Sequence, residues 1–403
     1  MKNNRFSRRK IIKSGGVTVL AASSGCLRLE GQERRRTRTE GDRQGTDVQD
    51  DLSETPSNPD ETPNPVELTQ AWTRPHPGVD VVAQDGITYH AGWKTMRAVD
   101  SETGNMSWET RTENAVLTAI TIHSDWLYLA SRQENDNDSD ARIFGIDRNS
   151  GDIKWQFVSS SQQVRPAPHV TEDLVVCCGQ KGGGSFSGDD ELVVYAVDRI
   201  SGELQWRTQT TGSIVGDIYS HNGSIYIPNS DLIALDSNTG EVIDTNIPNN
   251  LNAVSSETGY TFGTNPQDDT AKVSAVNLSN GEEQWSTRSF DYIRDSYNPI
   301  DKLHLRDKIY VVSSNFIRAF SYDDGRKLWE TELSATLNSS PAVTEDYIVS
   351  ANHDFNLVII NKKTGDKQLF EQGYSDMLYL GGEDNYFVLC NFKEDLTRFT
   401  LSS

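Results

Sequence analysis

The chain has 403 residues, 35% of them hydrophobic, and a formal charge of −21 from 59 acidic and 38 basic side chains. That is enough chain for one large domain with a real core, while so acidic a body repels nucleic acid and anionic membrane surfaces and excludes a polyanion-binding role. Four cysteines in this length exclude a disulfide framework. The charge is also segregated. Lys2, Arg5, Arg8, Arg9, Lys10 and Lys13 fall in the first 25 residues with no acid among them, so the remainder is more acidic still. Such a balance suits a protein kept soluble in concentrated salt, where screening removes most of the self-repulsion. A halophilic source is the expectation, with an ordinary acidic secreted protein as the alternative.

At the N-terminus, Ser7-Arg8-Arg9-Lys10-Ile11-Ile12-Lys13 resembles the twin-arginine export signal, with Ile11 where that family more often has Phe. The apolar stretch that follows, Val17 to Ala22, is far below the ~20 residues of a spanning helix, so it fits a signal peptide. Ser23-Ser24-Gly25-Cys26 resembles a lipobox, which implies lipidation at Cys26; cleavage near Ala22 and free secretion is the alternative. Residues 27–67 are rich in Pro, Thr, Asp and Glu and nearly devoid of apolar side chains, so they cannot bury enough surface to fold and are expected to act as a tether. The basic run Arg34-Arg35-Arg36-Thr37-Arg38 sits close to the expected anchor, where it either touches anionic headgroups or is simply solvated. The expected division is therefore a leader over 1–26, a tether over 27–67 and one folded domain over 68–403.

One pattern fills that domain. Ala98-Val99-Asp100 leads to Gly104 and Trp108, Gly145-Ile146-Asp147 to Gly151 and Trp155, and Ala196-Val197-Asp198 to Gly202 and Trp206. Ala234-Leu235-Asp236 reaches Gly240 but has Asp244 in the tryptophan position. Ala275-Val276-Asn277 leads to Gly281 and Trp285, and Ala319-Phe320-Ser321 to Gly325 and Trp329. Ile359-Ile360-Asn361 reaches Gly365, with Leu369 replacing the tryptophan. The apolar run is a strand end, Asp or Asn bonds amides in the turn, and Gly takes positive φ where the chain reverses. The tryptophan returns on the next strand as a flat surface that docks on a neighbouring unit. A period near 40 residues, with short alternating strands such as Trp126–Ala130 and Lys308–Val312 between copies, predicts an all-β fold, a β-propeller of four-stranded blades.

The ends complete the ring. Leu68-Thr69-Gln70-Ala71-Trp72 has the character of an outer, tryptophan-bearing strand with nothing before it. Strands at Met377–Leu380, Tyr386–Cys390 and Thr397–Leu401 lack a fourth. Pairing the two ends closes an eight-bladed ring and removes the open sheet edges; seven blades is the alternative count.

The Ala-x-Asp-x-x-x-Gly-x-x-x-Trp pattern resembles the tryptophan-docking repeat of PQQ-type propellers, over roughly residues 68–403. Two groups share it: quinoprotein alcohol dehydrogenases, and non-enzymatic lipoproteins similar to BamB, a subunit of the outer-membrane barrel assembly machine. WD40 repeats fit less well, because no Trp-Asp pair ends a copy. Leader, lipobox-like cysteine, tether and single propeller match the organisation of the BamB group. That resemblance implies a monomeric, lipid-anchored scaffold that binds other envelope or membrane proteins, with no cofactor and no catalysis. In an archaeon without an outer membrane, the barrel-assembly role would not carry over.

The dehydrogenase alternative turns on Cys177-Cys178. The enzymes hold adjacent cysteines, joined as a strained ring, against PQQ beside Ca²⁺. Here Gly179-Gln180-Lys181-Gly182 follows the pair, where the enzymes have Asp-Val-Val-Asn-Arg-Gly, and their Trp-Tyr-Asp and Gly-Asp-Asn segments have no counterpart. Neighbours in a strand also face opposite sides of the sheet, so two packed thiols are expected instead. Asp136, Asp138 and Asp140 alternate as in a calcium loop with Asp147 near the twelfth position, but Ala141 stands where such a loop needs Gly. The glycine-rich run 182–188 lacks the Lys-Ser/Thr of a phosphate loop, and the seven histidines show no ligand spacing.

Overall fold

A computed structural model describes residues 65–402, except 113–115, 133–140, 182–190, 213–215, 229–231, 266, 292–301, 314–315, 336, 338, 355, 372–378 and 391–394. Every regular element among the described residues is a β-strand, and every pairing is antiparallel, nearly all of them between strands consecutive in the chain. The strands group into four-stranded meanders. Unit 1 consists of Asp80–Gln84, Ile87–Ala91, Thr95–Asp100 and Met106–Arg111, in that order across the sheet. Units 2 (116–158) and 3 (163–211) form one eight-stranded sheet, joined only by the pair Gln163↔Arg132. Unit 4 (219–236) has three strands, unit 5 (251–291) four and a short fifth, and units 6 (302–332) and 7 (342–370) four each.

Unit 8 takes strands from both ends of the folded chain. Tyr379–Glu383, Tyr386–Cys390 and Leu396–Ser402 are completed by Glu67–Arg74, whose Glu67 lies opposite Ser402 and Arg74 opposite Leu396. The N-terminal strand therefore supplies the outer edge that the last three strands lack, as the sequence predicts.

Eight apolar clusters hold the units together, each drawing on two consecutive units. Val82, Tyr89 and Met96 of unit 1 pack on Leu117, Leu129 and Phe144 of unit 2, and the same logic repeats around the molecule. The last cluster returns to the start: Tyr379, Val388 and Leu396 of unit 8 meet Val81, Ala83 and Val99 of unit 1. The units therefore close into a propeller ring. Both faces of the inner strands are buried, which is why second strands such as Tyr347–Ala351 and Tyr386–Cys390 are buried at every position rather than alternately. Val388 and Leu389 are adjacent in sequence yet belong to different clusters, one on each side of unit 8. Burying such a side chain contributes roughly 1.5–3 kcal/mol.

The first strands face the ring axis and are tied to one another by side chains. The Asp80 carboxylate accepts the Ile120 amide at 3.0 Å, Thr121 Oγ1 donates to the Pro168 carbonyl at 2.8 Å, and His169 Nε2 lies 2.9 Å from Ser220 Oγ. Tyr219 donates to the Asn252 carbonyl, and Asn252 Oδ1 accepts the Leu303 amide at 3.3 Å.

Candidate functional site

The repeat residues converge on the seams between units. Each tryptophan lies on the glycine of the following unit, so that a Cβ added to Gly104, Gly151, Gly202, Gly240, Gly325 or Gly365 would meet the ring of Trp72, Trp108, Trp155, Trp206, Trp285 or Trp329 at 2.4–2.9 Å. All these glycines have φ between +67° and +81°, the left-handed region that turns the chain at no Cβ cost. Each indole N–H donates to the carbonyl of the residue just after the turn Asp, Asn or Ser: Ser101, Arg148, Arg199, Ser237, Tyr322 and Lys362, at 2.8–3.1 Å. Trp72, from the N-terminal strand, thereby docks unit 8 on unit 1.

Three further parts complete this joint. The small residue before the turn faces the tryptophan across the strand pair (Ala98↔Trp108, Gly145↔Trp155, Ala196↔Trp206, Ala275↔Trp285, Ala319↔Trp329), because a larger side chain would displace the indole. The residue two beyond the tryptophan reaches the same glycine: Thr110, Thr208 and Thr331 donate to the carbonyls of Gly151, Gly240 and Gly365, and Arg74 Nε donates to that of Gly104 at 2.7 Å. A tyrosine of the second strand leans on the ring, as in Tyr128–Trp155 and Tyr310–Trp329, with centroids 5.9 Å apart. The threonine recurs at a fixed offset and could have been found in the sequence. The tyrosine could not, since the loop between it and the tryptophan varies in length.

Unit 4 departs from the pattern as its Asp244 suggests. Its fourth strand is reduced to the single bridge Leu235↔Val242, and Val242 is exposed. The chain then turns inward, and the carbonyl of Asn246 fills the place before Gly281 that a tryptophan fills elsewhere, 2.2 Å from where a Cβ would stand.

Cys177 and Cys178 are both fully buried free thiols in the second strand of unit 3. Cys177 faces the unit 2 side and Cys178 the unit 4 side, each inside a different apolar cluster. Burial pushes both thiols well above the ordinary range, so both are protonated. The Asp147 carboxylate takes the amides of Asn149 and Ser150 at 3.0 Å as the turn residue of its repeat. Asp136, Asp138 and Asp140 lie outside the described residues, as do Arg8, Arg9 and Cys26. His123, His169, His221 and His304 all fall toward the ends of first strands; among the described residues no group of three or more side chains is placed to hold a metal. His90 is fully buried against Gly78, with neither ring nitrogen bonded to a described residue, and burial followed by the Arg97 charge pushes its pKa down to about 3.

Strand alternation sorts the connections. Turns joining strands one to two and three to four share one end of the ring and are short: Asp85-Gly86, Ser124-Asp125 and Asn222-Gly223 are two-residue hairpins with positive φ at their first position. Connections from strand two to three, and from unit to unit, share the other end and vary from 92–94 to 133–141. Variable loops on a rigid scaffold are where recognition residues usually sit, so this second end is the candidate binding face.

The family profile of the outer membrane protein assembly factor BamB matches residues 66–287 and 269–372. The chain belongs to the BamB family. Among solved structures, this BamB-family chain is similar to BamB from Moraxella catarrhalis (TM-score 0.58, 16% identity, 83% of this chain and 98% of that one). It is also similar to the quinohemoprotein alcohol dehydrogenase of Comamonas testosteroni (TM-score 0.55, 12% identity, 83% of this chain and 76% of that one). At such identities the likeness shows the propeller fold alone. A curated relative, the serine/threonine-protein kinase AfsK of Streptomyces griseus, is 26% identical over 157 residues, 36% of this chain; the chain spans only 18% of that protein.

Proposed function

We propose that this chain is an exported, membrane-tethered propeller that binds other envelope or membrane proteins and carries out no catalysis of its own. The observation that carries this reading is the fate of the chemistry-bearing repeat. Its Asp, Gly and Trp residues are used in joining one unit to the next, and the Cys177 and Cys178 thiols are sealed into opposite faces of one strand. A rigid ring with variable connections gathered at one end is suited to docking a protein, and membership of the BamB family supports it. The fold alone does not assign it. Export through Arg8-Arg9 and lipidation at Cys26 would hold the ring at the outer face of the cytoplasmic membrane as a monomer, with residues 27–67 as the tether.

The test is photo-crosslinking in intact cells from positions in the variable connections, with positions in the short turns as controls. A discrete membrane-protein adduct from the first set and none from the second is expected. Equal, diffuse labelling from both would sink the docking reading. Cys26→Ser should move the protein from membrane to medium; unchanged fractionation would remove the anchor. The dehydrogenase alternative is separated by adding PQQ and Ca²⁺ to the purified chain: quinone-dependent alcohol oxidation by dye reduction would replace the scaffold reading with an enzymatic one.

A further inference from the structure

Asn-Gly occurs twice in the folded domain, each time in a turn of the ring. An asparagine before glycine is open to attack from its own backbone, because the next nitrogen can reach the side-chain amide carbon and glycine has no Cβ to hinder the approach. Asn280-Gly281 lies in the turn from the third to the fourth strand of unit 5. Asn222-Gly223 is the two-residue hairpin that joins the first two strands of unit 4, Tyr219–His221 and Ser224–Ile227.

The two copies are held differently. The Gly281 N–H donates to the Asn277 carbonyl at 2.8 Å, so the nitrogen that would attack is occupied. The Asn280 side chain is fixed at both ends: Oδ1 accepts the Glu282 amide at 2.9 Å and Nδ2 donates to Glu282 Oε2 at 2.9 Å. Asn222 and Gly223 are both exposed, and among the described residues neither the Asn222 side chain nor the Gly223 amide has a hydrogen-bond partner. A Cβ on Gly223 would meet only Ser237 Oγ, at 3.8 Å. Hairpin geometry by itself does not make the difference. Asp85-Gly86 of unit 1 has nearly the same backbone, φ +55° and +73° against +45° and +75°. There, however, Glu383 of unit 8 accepts both amides, at 2.6 and 3.1 Å, and Arg148 of unit 2 holds the Asp85 carboxylate at 2.7 Å. Asn222 also has the thinner support: its flanking strands pair at three positions, those around Asp85-Gly86 at five. Local opening is cheapest where few bonds must break.

We infer that Asn222 is a spontaneous modification site, converted in the folded chain to aspartate and isoaspartate. The Gly223 nitrogen gives up its proton and bonds to the Asn222 side-chain carbon; the bond from that carbon to Nδ2 breaks, and ammonia leaves with the proton. Water then opens the cyclic imide at either carbonyl. The sum is asparagine plus water giving acid plus ammonia, with no oxidant or metal. The product adds a negative charge to a chain already at −21. As isoaspartate it also adds a backbone methylene to a two-residue turn, which removes the His221↔Ser224 register that such a turn fixes. This site is independent of protein docking, and its failure would leave the scaffold reading untouched.

The purified full chain is incubated at mildly alkaline pH, folded in high salt and in parallel unfolded in urea. Conversion is followed by peptide mass spectrometry and by isoaspartyl methyltransferase labelling. In the folded chain the peptide holding Asn222 should gain the mass of amide-to-acid conversion and split into aspartate and isoaspartate forms, faster as pH rises. Asn280 should convert at least tenfold more slowly, and in urea the two rates should come within about threefold of each other, because the bonds that guard Asn280 are gone. Asn280 keeping pace with Asn222 in the folded chain would overturn the inference. So would an Asn222 that stays intact there throughout the conversion of the unfolded chain. A tenfold difference that persists in urea would place the cause in the neighbouring residues rather than the fold, and overturn it too. Acid formed at Asn222 without isoaspartate would exclude the imide route.

Discussion

Gly86 and Gly202 have the same backbone conformation, φ +73°, and opposite surroundings. A Cβ at Gly86 would meet nothing within 4 Å, whereas one at Gly202 would stand 2.6 Å from Cδ2 and 2.7 Å from Cε3 of Trp155. That ring cannot yield. Its N–H is bonded to the Arg199 carbonyl at 3.1 Å, and its far side already lies against Gly145, where a Cβ would come within 2.2 Å. Gly86→Ala therefore costs only the left-handed penalty, about 1–2 kcal/mol. Gly202→Ala adds overpacking of about 1–3 kcal/mol and loss of the indole hydrogen bond, worth about 1 kcal/mol, for a total of about 3–6 kcal/mol. Urea unfolding of both variants in one high-salt buffer, at unchanged m value, measures the difference. In the Trp155→Leu background the extra cost of Gly202→Ala should vanish, leaving about the Gly86→Ala value. Equal losses for the two glycines, or no coupling to Trp155, would refute the docking account of the repeat.

His90 makes stability pH-dependent. Its pKa is about 3 in the folded chain against an ordinary 6.5, so the unfolded chain binds a proton that the folded one refuses. Stability is unaffected above pH 6.5 and is lost progressively toward pH 3, the loss amounting to about 2 kcal/mol at pH 5; the difference between wild type and His90→Leu across pH 7 to 5 should show that slope, and parallel curves would contradict it. The thiols of Cys177 and Cys178, raised by burial, should resist maleimide in the folded chain and label fully in urea; rapid native labelling, or a disulfide found by mass spectrometry, would contradict their placement. A halophilic origin predicts that lowering sodium chloride from molar to 0.1 M reduces the melting temperature of a chain at −21; no change would leave an ordinary acidic secreted protein.

Much of the ring was legible before any coordinates. The period, the Asp turns, the glycines and the tryptophans recur at fixed spacing because each unit solves the same local problem, and local problems leave local signatures. Even the defect in unit 4 was visible as Asp244. The opposite facing of Cys177 and Cys178 follows from strand alternation alone. The tyrosines that back the tryptophans were not legible, since their contacts cross loops of unequal length. Nor was the Asn246 carbonyl that replaces a tryptophan before Gly281, because backbone carries no residue type to recognise.

By itself, the sequence determined the repeat, its turn chemistry and the pairing of the two chain ends, since strand period and turn geometry are properties of a few consecutive residues. Only the tertiary structure decided which side chains meet across a seam. His90 came to rest against Gly78 with neither ring nitrogen bonded to a described residue, and the Asn246 carbonyl took the place before Gly281. Their environments are set by residues distant in sequence and by how closely two rigid sheets approach, and no spacing along the chain encodes that distance.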